Sequence, residues 1–244
     1  MNAQVVRNPK MPKVIHDSWA FLFNKVMDDP RWREIERVVG TNKHNICPEP
    51  QNIFKAFSIP RDKVQAVFLG LSPYQNYKSG MLFATGLAFG VPDRTMDTPS
   101  LQIIRDELER TYPTFNVDDP RIFDYTLEHW HNQGVMLLNS ALTVIKRADA
   151  RCHLHLWDWF TQEVLWYISY NTAPKPFVFM GRDAQKFNKH VDDSLHTIIN
   201  VYHPAAEARN KGGQYRFTGS DVFIKVNNVL INLYNEKINW LYEN

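Results

Sequence analysis

Four short apolar runs constrain this chain more than any other feature. They cover residues 64–69, 135–138, 177–180 and 197–201. Each is close to strand length, and three are rich in β-branched or aromatic side chains. Segments with helical spacing lie between and after them, at 101–110, 157–168, 184–191 and 220–234, with Ser220 placed to cap the last. Strands alternating with helices predict an α/β fold: one three-layer α/β/α domain around a central four-stranded parallel sheet. Upstream, Trp19, Leu22, Phe23 and Val26, then Trp32, Ile35 and Val38, predict helices within 16–40. Residues 1–47 are therefore read as a helical extension packed on that domain.

Composition narrows the function classes. A chain of 244 residues with 44% hydrophobic side chains can bury a full core without metal or disulfide support. The formal net charge is only +2, so nucleic-acid binding would have to come from a local basic patch. Two cysteines, Cys47 and Cys152, argue against a disulfide scaffold and fit a reducing cytoplasm. The first residues hold no apolar core of signal-peptide length, and no window approaches a membrane span. A monomer in the cytoplasm, or associated with the nucleoid, is expected.

In a parallel sheet the ligand site lies beyond the carboxyl ends of the strands. Gly70-Leu71-Ser72-Pro73-Tyr74 follows the first run, Asn139 the second, Gly181-Arg182 the third and Tyr202-His203-Pro204 the fourth. Four loops thus bring Tyr, Asn, Arg and His to one sheet edge. No glycine-rich phosphate loop accompanies them, which disfavours a nucleotide-binding α/β domain.

These loops resemble those of family-1 uracil-DNA glycosylase. Leu69-Gly70-Leu71-Ser72-Pro73-Tyr74-Gln75 is similar to its water-activating loop LGQDPYH. Gly86-Leu87-Ala88-Phe89 matches its GLAF segment, and Thr98-Pro99-Ser100-Leu101 resembles its PPSL loop. Residues 134–144 resemble its GVLLLNAVLTV strand, 157–161 its GWExFT helix, and His203-Pro204 the start of its HPSPLS loop. The resemblance covers residues 48–230. It implies a DNA glycosylase that flips a pyrimidine out of the stack and hydrolyses its N-glycosidic bond, leaving an abasic site, with DNA as partner and no cofactor or metal. It makes Phe89 the stacking face, Asn139 the reader of the base edge, His203 the donor to the departing base, and Tyr74 the wall against a C5 substituent. Leu71 would border the base through its backbone. Ser100, Arg182, Arg209 and Lys211 would hold the DNA backbone.

The chain also departs from the pattern. Ser72 stands where the family has its catalytic aspartate, so a neutral hydroxyl replaces a negative charge. Glu207 and Asp93 are the candidate substitute acids. Leu71 and Gln75 replace the family's Gln and His, and the stretch between Tyr74 and Gly86 is about four residues longer than usual. The wedge leucine near residue 207 is missing from Ala205-Ala206-Glu207-Ala208-Arg209. Two readings stay open. One is an active glycosylase for uracil or a C5-modified pyrimidine; glycosylases of this fold that attack modified phage DNA are a precedent in the family, in defence. The other is a silent relative that binds DNA or a replication partner. Cys152-His153-Leu154-His155 lacks the second ligand pair that a zinc site needs. Trp159 and Trp166, two helical turns apart, are expected in the core.

Overall fold

The computed structural model describes residues 6–170, 172–210 and 213–242. The helices in order are α1 (Ala20–Asp28), α2 (Trp32–Thr41), α3 (Pro99–Thr111), α4 (Glu128–Asn132), α5 (Leu154–Ser169), α6 (Arg182–Gln185), α7 (Pro204–Arg209) and α8 (Val222–Tyr234). The strands are β1 (Ile46–Cys47), β2 (Ala66–Gly70), β3 (Tyr77–Lys78), β4 (Met81–Leu82), β5 (Val135–Asn139), β6 (Val144–Ile145), β7 (Pro176–Met180) and β8 (Thr197–Val201). Four of them form a parallel sheet in the order β5-β2-β7-β8. The expected three-layer architecture is therefore observed.

Every residue of β2, β5 and β7 is buried. Side chains alternate between the two faces of a strand, so both faces of the sheet are covered. That is why these strands read as unbroken apolar runs. One aromatic cluster joins α1 to α5: the rings of Phe23 and Phe57 are 5.2 Å apart, and those of Phe23 and Phe160 are 5.8 Å apart. A second joins α4, α8 and the C-terminal segment. There Trp240 lies 5.2 Å from Trp130, 4.9 Å from Phe223 and 5.8 Å from Phe68 of β2. The N-terminal helices contribute Trp19, Leu22 and Phe23 to the same core as the strands.

Four expectations need correction. Ser220 does not cap α8. Asp221 occupies the N-cap with φ 55° and no side-chain cap bond. The buried carboxylate of Glu107 instead accepts from the backbone N–H groups of Gly219 and Asp221, at 2.7 Å each. The helix expected over 184–191 breaks into α6 and a 3-10 turn, Asn188–His190. Trp166 is not core: it is 43% exposed and stacks on Tyr170 at 5.0 Å. Trp159 is only partly buried, with the Arg31 guanidinium 4.3 Å from its ring centroid. The long stretch after Tyr74 is no irregular loop. It folds into the antiparallel hairpin β3–β4, with Tyr77 opposite Leu82 and Lys78 opposite Met81.

Candidate active site

The chain leaves β2 towards β5 on one side and later reaches β7 on the other. The crevice for a ligand is expected at that switch, beyond Gly70. Gly70 pairs with Asn139 across the β2–β5 ladder. The following loop is pinned there: Ser140 N–H and its hydroxyl both donate to Gly70 O, at 3.0 and 2.8 Å, and Ala141 N–H donates to Leu71 O at 3.0 Å. The backbone of Leu71 and Ser72 is thereby fixed against the end of β5.

Gly70 has to be glycine. A Cβ built on it would lie 2.8 Å from Asn139 Oδ1 and 3.1 Å from the ring of Phe89. Asn139 and Phe89 therefore close on one point, and both are nearly buried. No hydrogen bond from the Asn139 carboxamide to another described residue is present, which leaves the group open to a ligand. Phe89 has φ 67°, uncommon for a bulky residue, and its ring centroid lies 5.5 Å from that of His203.

His203 follows β8 and caps α7. Its Nδ1 accepts from Ala205 N–H at 3.1 Å. A ring nitrogen that accepts carries no proton, so in the neutral imidazole the proton sits on Nε2. Burial is the main reason that the ring titrates far below the usual range, at about 4; Arg209 and Arg151 add to the effect and Asp183 opposes it. At neutral pH His203 is thus an uncharged Nε2–H donor. Gly181, at φ 90°, lets β7 end against it: a Cβ there would stand 2.7 Å from His203 Cβ.

A cavity of about 480 Å³ opens in front of this group. Of the residues expected from sequence, Leu71, Ser72, Tyr74, Ser100, Arg182, His203 and Arg209 line it. Phe89 and Asn139 are not part of its wall and stand beside Gly70. Lys211 lies outside the described residues. The wall at Tyr74 is braced by a chain of hydrogen bonds. Leu101 N–H donates to Thr98 Oγ1 (3.1 Å), the Thr98 hydroxyl donates to Tyr74 OH (2.9 Å), and Tyr74 OH donates to Phe89 O (3.3 Å). Asp97 in turn accepts from Thr98 N–H and pairs with the buried Arg105.

The chain matches the uracil DNA glycosylase superfamily over residues 57–231. It belongs to that superfamily. Its sequence is 33% identical over 228 residues to a uracil-DNA glycosylase of Francisella tularensis subsp. novicida, covering 91% of this chain and 98% of the relative. It is 36% identical over 197 residues to one from Francisella tularensis subsp. tularensis, covering 80% and 84%. Mimivirus uracil-DNA glycosylase superposes with a TM-score of 0.82 at 25% identity, over 93% of this chain and 87% of that one.

In this member of the uracil-DNA glycosylase superfamily, neither of the two expected substitute acids, Glu207 and Asp93, is free. Glu207 accepts from Phe217 N–H at 2.6 Å and Thr218 N–H at 2.8 Å, bracing the loop after α7. Asp93 caps the turn Arg94–Met96 through Thr95 and is exposed. The carboxylate that does line the cavity is Asp183, which sequence reasoning missed. It is tied to Arg151 at 3.0 Å and Lys186 at 2.6 Å. Burial raises its pKa, but those two cations outweigh it and hold the group below the ordinary carboxylate range. Arg151 and Tyr215 also line the cavity and were missed, and Tyr202 lines it from the loop after β8 where the sequence placed it. The Arg151–Asp183 pair spans 32 positions, so no local pattern marks it. A loop position just after β7 was the one available signal for Asp183. The Cys152–His155 segment is tied into the fold: His153 Nδ1 and the Thr143 hydroxyl share a hydrogen bond at 2.9 Å, and Thr143 Oγ1 accepts from Trp157 Nε1 at 2.7 Å.

Among the described residues no helix is long and apolar enough to cross a membrane.

Proposed function

We propose that this chain is a DNA glycosylase acting on a flipped pyrimidine. The observation that carries this reading is the grouping at Gly70 of Asn139 and Phe89, whose ring stands 5.5 Å from that of the cavity-lining His203, a neutral Nε2–H donor. Phe89 supplies an aromatic face for the base. The Asn139 carboxamide offers an acceptor and two donors to its edge. His203 Nε2–H bonds the base O2. As the C1′–N1 bond breaks, its electron pair passes to the base and negative charge grows on O2. A positioned donor there contributes about 3–4 kcal/mol. Water then adds to C1′ of the sugar and gives up a proton to solvent or to the released base.

Ser72 changes the rate more than the reaction. Its hydroxyl can hold the water but adds no negative charge beside the cationic sugar. Loss of base and electrostatic assistance each typically costs a factor of about 10² or more. Uracil is the first candidate substrate, in keeping with the names of the relatives. A C5-modified pyrimidine, as in modified phage DNA, is the second. It is supported by the roomy cavity, which runs past His203 to Arg151, Asp183, Tyr202 and Tyr215. Ser100, Arg182 and Arg209 along the wall suit DNA phosphates, giving sequence-independent and salt-sensitive binding. Repair of uracil-containing DNA or defence against modified DNA follows from which base is released.

The alternative, a silent DNA-binding relative, is favoured by Ser72 alone. A base-release assay on DNAs holding uracil, thymine, cytosine and C5-modified or glycosylated pyrimidines decides between them, with the freed base identified by mass. Release of one base fixes both the enzyme and its substrate. Binding without release of any base establishes the silent reading.

A further inference from the structure

The hairpin β3–β4 follows directly on the cavity-lining residues Tyr74 and Gln75, and the functional reading above leaves it without a task. Its turn, Ser79-Gly80, has positive φ at both positions (50° and 81°), which suits a two-residue hairpin. It is fixed from beneath: Leu82 packs with Cys47, Ala84 and Val144 in a small apolar cluster that Tyr74 also touches. Phe83 N–H closes its base on Asn76 O at 3.1 Å.

Three connections tie the hairpin to the cavity wall. The chain enters it directly from Tyr74 and Gln75, both lining residues. Gln75 O accepts from Arg147 N–H at 3.1 Å, and the chain beyond Arg147 runs into the lining residues Ala150 and Arg151. Lys78 Nζ donates to Thr95 O at 3.2 Å, close to Thr98 and Ser100.

The outer surface pairs aromatic with cation. Tyr77 is 40% exposed on the face it shares with Leu82, while Met81, paired with Lys78, lies on the other face. The Arg147 guanidinium lies 4.6 Å from the Tyr77 ring centroid, and Lys78 is exposed beside it. The carboxylate near Lys78, Asp93, is held by Thr95, and Glu49 and Glu128 lie by Met81, on the face away from Tyr77. An exposed aromatic flanked by cations is the pattern that grips a nucleic-acid strand, by stacking on a base and neutralising phosphate. Across the cavity, the α7 segment has only small or charged side chains where a wedge would be needed. Flipping a base requires that its neighbours be held.

We propose that the hairpin is a DNA-strand clamp: Tyr77 stacks against the base next to the flipped nucleotide, and Arg147 and Lys78 hold its phosphates. This rests on the glycosylase reading above. The test is binding of a labelled single-stranded oligonucleotide containing one uracil, and of its duplex, over a range of salt concentrations. Tyr77→Ala should weaken binding about tenfold, and Tyr77→Trp should restore it. Lys78→Ala should reduce the slope of log affinity against log salt by about one. An Arg182→Ala/Arg209→Ala variant serves as the comparison. Should that variant weaken while Tyr77→Ala and Lys78→Ala match the wild type at every salt, the clamp is refuted and the glycosylase reading stands. Should the wild type bind neither DNA, both fall. Equal melting temperatures for all variants show that fold is not the cause.

Discussion

The phenol of Tyr74 donates to the backbone carbonyl of Phe89, 3.3 Å away, so the wall of the proposed base pocket and its stacking face are one hydrogen-bonded unit. The same phenol receives the hydroxyl of Thr98, the N-cap of α3. Tyr74 cannot turn aside without breaking both bonds, each worth about 1 kcal/mol. Tyr74→Ala should therefore admit a C5-methyl: thymine release, assayed against uracil release, should rise relative to the parent. A thymine-to-uracil ratio that stays at the parental value would remove Tyr74 from the role of guard.

Asn139 should be indispensable to base release and nearly neutral for folding. Its side chain makes no hydrogen bond to another described residue, so Asn139→Ala removes little that holds the protein together. Single-turnover base release should fall by at least about 10², the order expected when a polar reader is lost, while the melting temperature stays close to the parent's. Full activity would sink the pocket assignment.

Gly70→Ala is expected to act on the same two residues by crowding. The new methyl would meet Asn139 Oδ1 at 2.8 Å and the Phe89 ring at 3.1 Å, so one of them must move. Overpacking of this kind typically costs about 1–3 kcal/mol. Activity should drop steeply while near-ultraviolet dichroism remains native-like.

Restoring the acid, Ser72→Asp, should raise the rate on plain uracil by about 10² or more, since charge and base assistance return together. The position is backed by the pinned backbone of Leu71 and stays part-exposed, so the variant should fold. An unchanged rate would show that the pocket has been altered elsewhere for another base.

Acid should destabilise the fold before it unfolds it. Burial is the main cause that holds His131, and likewise His203, at about 4 against an ordinary value of 6.5. Between those values the unfolded chain binds more protons than the folded one. This contribution is complete above pH 6.5 and is lost as pH falls towards 4, by about 1.4 kcal/mol per pH unit for each ring. Urea midpoints measured from pH 7 to pH 4 should fall accordingly, and less steeply in His131→Asn.

The sheet was legible in the sequence because strands buried on both faces must be apolar throughout; their ends moved by only one or two residues, as with 64–69 against Ala66–Gly70. The loop residues were legible because parallel strands deliver their carboxyl ends to one edge. What escaped notice is set by distance along the chain. Arg151 meets Asp183, and Glu107 meets the amides before α8, through folding alone. The hairpin strands, two residues each, are too short for any periodicity, and only Ser79-Gly80 marked the turn. Glu207 was a candidate from its place four residues after His203, yet the amides of Phe217 and Thr218 occupy it.

The left-handed backbone of Phe89 has a thermodynamic reading of its own. A bulky residue at φ 67° sits in a conformation that costs of order 1–3 kcal/mol, and its neighbours fix it there: Val91 N–H bonds Tyr125 O, and a Cβ on Gly90 would strike Thr126 O at 2.5 Å. The backbone that carries the ring proposed to stack on the base is thus set by folding and not by the arrival of a base. Ordering entropy has been settled in advance, so calorimetry of base-analogue binding should show little conformational penalty, and the free and occupied proteins should exchange amide hydrogens around residues 89–91 at nearly the same rate.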